Sequence, residues 1–227
     1  MKTFCALVVV LVASIALSCT KESKQEVGNT PIEESEFLDG RFQMHLLTDR
    51  NGGERKSLFA YVNQKNSMNN VNIGTVAANG NELNYQGDTY LADVDSLDET
   101  IVQWTTTGAP NYPAVSYSDE QPFPYITNLN FPDSVETGQG ITISFTTPDN
   151  TQLVDVELRS ATKLIYKRTA GGTKAITFSP AEIAGLEVND GKLYLVVSSV
   201  NEKEQTFGQR KYSFSKAMQG NYDIQVK

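Results

Sequence analysis

The chain has 227 residues and a formal net charge of -8, with 19 Lys and Arg against 27 Asp and Glu. That balance excludes a nucleic-acid partner, because such binding rests on neutralising phosphates, and the length suits one large domain or two small ones. The only cysteines, Cys5 and Cys19, both precede Thr20, so the rest of the chain has no disulfide framework.

Met1 and Lys2 give a positive start, Phe4 to Leu17 an apolar run, and Ala16-Leu17-Ser18-Cys19 a small-residue ending. This is the layout of a secretory signal, shorter than the about 20 apolar residues of a retained span. Ala16-Leu17-Ser18-Cys19 resembles the lipobox of bacterial lipoproteins, in which the thiol is acylated, the chain is cut before the cysteine, and the new amino terminus is acylated too. The resemblance implies lipidation of Cys19 and removal of residues 1–18. Several acyl chains, each buried methylene adding about 0.8 kcal/mol, make such an anchor effectively permanent. Residues 19–36, with dense charge and little to bury, read as a disordered tether, which at about 17 residues reaches roughly 20 to 25 Å as a random coil. Lys21-Glu22 is similar to the surface-export signals that follow the lipid cysteine in Bacteroidota. The whole layout resembles a Bacteroidota-type envelope lipoprotein, which implies a lipid anchor at the outer membrane or cell surface.

Beyond Glu36 the periodicity predicts an all-β chain, because short alternating runs are separated by turn residues. Phe42, Met44 and Leu46 alternate with Gln43, His45 and Leu47; a Gly-rich loop at 49–53 follows, then Leu58, Ala60 and Val62, which is a hairpin signature. Val71 to Ala78 and Glu82 to Tyr85 flank a second turn at Asn79-Gly80-Asn81, and Thr89 to Val94 and Ile101 to Thr105 add two strands. Residues 37–109 are thus expected to form a small β domain. In the segment 110–124, Pro110, Pro113, Pro122 and Pro124 cannot donate into a central ladder, which predicts a junction.

Residues 125–227 have a clearer plan. Ile141, Ile143 and Phe145 alternate with polar residues, as do Val154, Val156 and Leu158, giving each strand one wet and one buried face. Ser179-Pro180-Ala181-Glu182 is a helix start with a cap, a proline at the first position and a capping box, and Gly185 ends it after about one turn. A short helix before Leu193 to Val197 resembles the link between the fifth and sixth strands of immunoglobulin-like and fibronectin-type sandwiches. That resemblance implies an immunoglobulin-like β-sandwich, with Tyr194 as a corner tyrosine.

For chemistry, the chain shows no zinc spacing, phosphate-cradling glycine loop or nucleophile elbow. His45, the sole histidine, is expected on the solvent face of the first strand, with no catalytic role. Asp93, Asp95, Asp98 and Glu99 form the densest acidic cluster, yet lack the glycine and terminal glutamate of a calcium loop, so a solvated turn is expected. Arg159, Lys163, Lys167, Arg168 and Lys174 are a basic stretch that reads as an edge hairpin guarded by cations, with an anionic ligand as the sharper alternative. No catalytic residue, metal ligand or cofactor is assigned. Trp104, Tyr112, Tyr117, Phe123 and Tyr125 gather around the junction, where rings either bind sugars or pack the two halves together. The expectation is a monomeric, non-catalytic binding or adhesion module for a glycan or an envelope protein, with Trp104, Tyr112, Tyr117 and Tyr125 as ligand-binding residues. A fimbria-like assembly subunit pairing through an edge strand, and a glycoside hydrolase using two acids, are the alternatives.

Overall fold

The computed structural model describes residues 38–227 apart from 50–52, 65, 66, 68, 137, 187, 189 and 190. Cys19 and the tether lie outside these residues. The fold is all-β, built on one nine-stranded sheet with two smaller sheets against its inner face. The large sheet is organised by a long hairpin, β15 (Lys192–Phe207) and β16 (Arg210–Val226). On one side of that hairpin follow β12 (Leu153–Arg159) and β13 (Leu164–Ala170); on the other follow β1 (Gly40–Asp49), β2 (Glu54–Val62), β6 (Thr89–Val94) and β5 (Asn84–Gln86). β1 runs parallel to β16, so the first strand of the sheet pairs with the last.

The second half has the strand order of an immunoglobulin-like sandwich. β9 (Thr127–Asn130), β11 (Ile141–Thr146) and β14 (Ala175–Phe178) make one sheet, facing the β13-β12-β15-β16 portion of the large one. β10 (Ser134–Val135) leaves the first strand's side to pair parallel with the end of β16. The helix α1 (Pro180–Gly185) links β14 to β15, and both halves of its capping box form: the Ser179 hydroxyl accepts from the Glu182 amide at 3.3 Å, and the Glu182 carboxylate accepts from the Ser179 amide at 2.7 Å. Residues 189 and 190, ahead of β15, lie outside the described residues. Tyr194 is not a corner tyrosine. In β15 it falls out of step with the buried Leu193 and Leu195, and it stays 37% exposed on the outer face.

The other small sheet runs β4 (Asn81–Glu82), β3 (Val76–Ala78), β7 (Val102–Thr106) and β8 (Ser116–Asp119). β8 comes from the proline-rich segment 110–124, which therefore supplies a strand as well as a link. The inner rings join this sheet to the large one: Phe42 meets Trp104 edge-on at 5.5 Å and stacks on Phe214 at 5.0 Å. One buried apolar cluster extends from Phe42 and Trp104 to Phe178 and Ile224.

The segment from Gln121 to Ile126 crosses the inner face of the large sheet between the two small sheets, and its prolines explain the polar residues buried beneath it. A proline brings a carbonyl with no amide of its own to pair, so a partner must come from elsewhere. Asn201 Nδ2 donates to the Pro122 carbonyl at 2.8 Å, and the Ser199 hydroxyl donates to the Pro124 carbonyl. Lys216 Nζ donates to the Gln121 carbonyl at 2.5 Å and to those of Glu99 at 2.7 Å and Thr100 at 3.0 Å.

Candidate functional site

The sequence-predicted ligand residues separate in space. Trp104 is fully buried between the sheets and offers no face to a ligand. It falls in register with the apolar side of β7, and Phe42 covers it. Tyr117 is half-buried and lies against Phe214 with ring centroids 4.1 Å apart, so it too serves the core. Tyr125 is 39% exposed and leans on Phe123 at 4.8 Å. Tyr112 lines a recess.

Two tight turns make that recess. At Ala109-Pro110-Asn111-Tyr112 the backbones of the first and last residues exchange hydrogen bonds, at 3.0 Å and 2.8 Å, around a two-residue turn. Proline in second place and Asn111 at φ 69° in third place are what a type II turn demands. Gly108 just before it also has positive φ, and a Cβ there would stand 2.8 Å from the Tyr112 carbonyl oxygen. The second turn, Gly208-Gln209, joins β15 to β16, with glycine in the first central position at φ 61° as two-residue hairpins favour.

Between them lies a recess of about 720 Å³, lined by Gln64, Ala109, Asn111, Tyr112, Pro113, Gly208, Gln209 and Arg210. Its floor is rigid. The Arg210 guanidinium lies over the Tyr112 ring, 4.4 Å from the centroid, and Nη1 donates to Asp39 Oδ1 at 2.6 Å. Asp39 Oδ2 in turn accepts from the Lys211 amide at 2.8 Å. Burial works against the Arg210 charge, but the Asp39 hydrogen bond and charge outweigh it and hold its pKa above the ordinary value. Arg210 and Asp39 therefore act as a fixed neutral pair. Close by, the Tyr212 hydroxyl is buried with no hydrogen-bond partner among the described residues, and burial pushes its pKa up to about 12.

No family model and no curated protein matches this chain. Among solved structures, the FN1–FN3 domains of chicken CNTN1 align with it at 10% identity and a TM-score of 0.29, covering 85% of this chain and 69% of that one. The immunoglobulin-like assignment rests on strand order and not on that likeness.

Several of the remaining candidates form ion pairs. Asp93 pairs with Arg55 and Glu99 with Lys56, while Asp98 accepts from the Thr100 amide at 2.8 Å, which holds its carboxyl below the usual range. Three of the four acids are thus paired or hydrogen-bonded to backbone. Within the basic stretch, Arg168 makes a two-pronged contact with Asp155 at 2.8 and 3.0 Å, and Lys167 reaches Glu182 at 2.9 Å. Its acids come from β12 and from α1, which a linear reading does not see. His45 is not on a wet face. It is buried opposite Ser57 and Ala217, and burial lowers its pKa to about 4.

What sequence reasoning missed is Arg210, Gln64 and Gln209. The signal for Gln209 and Arg210 was the Phe207-Gly208-Gln209-Arg210 stretch, a glycine-led hairpin turn between two long alternating runs. Nothing linear places that turn beside Tyr112.

Proposed function

We propose that the protein is a lipid-anchored, non-catalytic envelope binding module whose recess at Tyr112 takes a neutral saccharide. The observation that carries the reading is the convergence of three primary amides, on Gln64, Asn111 and Gln209, around a fixed Tyr112 and Arg210 floor. Amides present donors and acceptors in one plane, as hydroxyl pairs on a sugar require, while Tyr112 and Pro113 supply apolar surface for its C–H faces. The volume lies within the usual range for small-molecule sites, about 300 to 1,000 Å³. Among the described residues of the lining there is no carboxylate, so a two-acid hydrolase finds no support from them.

Binding is tested by titrating neutral envelope polysaccharides and their fragments by calorimetry. Tyr112→Ala and Gln209→Ala are expected to weaken a bound saccharide by about 1 to 3 kcal/mol each, the range for recognition residues, with little movement of the melting temperature. Unchanged affinity in both variants removes the recess from consideration.

The anchor has its own test. Cys19→Ala is expected to release the protein from the membrane fraction and abolish fatty-acid labelling, and Cys5→Ala to do neither. Labelling that persists without Cys19 overturns the lipidation site.

A further inference from the structure

We infer that the open edge of β13 pairs with the same strand of a second copy of this chain, antiparallel and about a two-fold axis at Tyr166. This surface is separate from the recess and stands or falls independently of saccharide binding.

β13 is an edge strand of the large sheet, hydrogen-bonded to β12 alone among the described strands. The rungs at either end fix which groups face outward. The Ser160 amide bonds the Lys163 carbonyl at 2.8 Å, and the Gly171 amide bonds the Gln152 carbonyl at 3.1 Å. Bonded and unbonded pairs alternate in an antiparallel ladder, so Ile165, Lys167 and Thr169 bond to β12, and the backbones of Leu164, Tyr166 and Arg168 point to the free side.

Other described edges are blunted, as proteins commonly arrange. β4, β5, β8, β9 and β14 have only 2, 3, 4, 4 and 4 residues. The open stretch of β15 beyond Val200 is long but has the exposed Lys203 and Glu204. β13 has seven residues, with Leu164 60% and Tyr166 40% exposed. Further inward on the same row, Arg159 stands between Leu164 and the exposed Tyr194, paired in register with both.

Bare cations on this strand would repel a second copy wherever it docked. Lys167 is held by Glu182 and by the Thr177 carbonyl at 2.8 Å, and Arg168 by Asp155, so the strand carries no net excess of charge, and only like cations set directly opposite one another still repel.

The register then follows from charge. Outward residues must pair with outward residues, which leaves two central registers. A two-fold at Lys167 sets Lys167 against its own copy, an unfavourable pair of like charges. A two-fold at Tyr166 sets Tyr166 on Tyr166, Leu164 on Arg168 and Ile165 on Lys167, with no like charges opposed and about six new backbone hydrogen bonds. The contact belongs to the small class of interfaces, so the dimer is expected to be weak and concentration-dependent.

The test uses the full chain in mild detergent. Opposed residues of a bonded pair stand about 5.5 Å apart at Cα, within disulfide reach. Under mild oxidation Tyr166→Cys is expected to yield at least about tenfold more thiol-reversible dimer than the unsubstituted chain, whose cysteines serve as background, while Lys203→Cys stays at background. In sedimentation, the Leu164→Lys, Tyr166→Lys double variant is expected to raise the dimer dissociation constant at least about tenfold, by setting lysines on the edge. Cross-linking of Tyr166→Cys no greater than that of Lys203→Cys, or identical sedimentation of the unsubstituted chain and the double variant, overturns self-pairing. The edge then belongs to a different protein strand or stays bare.

Discussion

Trp104→Ala is expected to lower stability by about 3 to 5 kcal/mol, the usual cost of emptying a buried aromatic site. For a domain of this size that corresponds to a fall in melting temperature of about 10 °C or more. The ring is fully buried, Phe42 meets its edge, and its position in β7 places it where the small sheet closes on the large one. Its Nε1 is also buried without a hydrogen-bond partner, so Trp104→Phe removes an unsatisfied donor along with part of the volume and is expected to cost less than alanine. Thermal unfolding of both variants checks the order. The same burial predicts a blue-shifted emission from this sole tryptophan, poorly quenched by iodide and unmoved by saccharide at the recess. If Trp104→Ala shifts the melting temperature by less than about 2 °C, the ring does not close the core as described. Tyr117→Ala belongs with it: a ring 4.1 Å from Phe214 is expected to cost stability rather than affinity.

The contrast between Trp104 and Tyr112 shows what a linear reading resolves. Alternation in Phe42, Met44 and Leu46, in Ile141 to Phe145 and in Val154 to Leu158 was enough to place strands and their buried faces, because the period of two follows from backbone geometry alone. The capping box at Ser179 was equally legible, since its partners sit three residues apart. Long-range pairing was not. β1 joins β16 in parallel across most of the chain, and no local signal encodes that choice. It follows that His45, polar and out of step with Phe42 and Met44, was expected in water and is buried. Aromatics near prolines looked alike in sequence, yet the turn geometry of Pro110-Asn111 sets Tyr112 in the lining of the recess while β7 and β8 carry Trp104 and Tyr117 inward.

Lys216→Met is expected to destabilise the protein as strongly as Trp104→Ala, although it replaces a charged residue in a core by an apolar one of similar length. Lys216 is fully buried, and burial pulls its pKa down against the opposing influence of Asp119, Asp98 and Glu99. Its three donors meet the three carbonyls of Glu99, Thr100 and Gln121, so every hydrogen-bonding site of the ammonium group is used. Methionine fills the space and satisfies none of the carbonyls. Leaving a buried acceptor unpaired costs about 1 to 3 kcal/mol, and three acceptors on two separate segments lose their common donor at once. Those segments are the turn after β6 and the start of the proline-rich crossing, so the loss is expected to loosen the seam between the two small sheets before it unfolds either one. Hydrogen exchange reads this directly: in Lys216→Met, amides from Thr100 to Val102 and at Gln121 and Phe123 are expected to exchange faster relative to those of β12 and β15. Lys216→Arg, which keeps the charge but not the compact geometry of three donors, is expected to fall between methionine and the parent. A methionine variant as stable as the parent, with protection unchanged on both sides of the seam, would show that the three carbonyls find other donors and that Lys216 does not tie the crossing to the sheet.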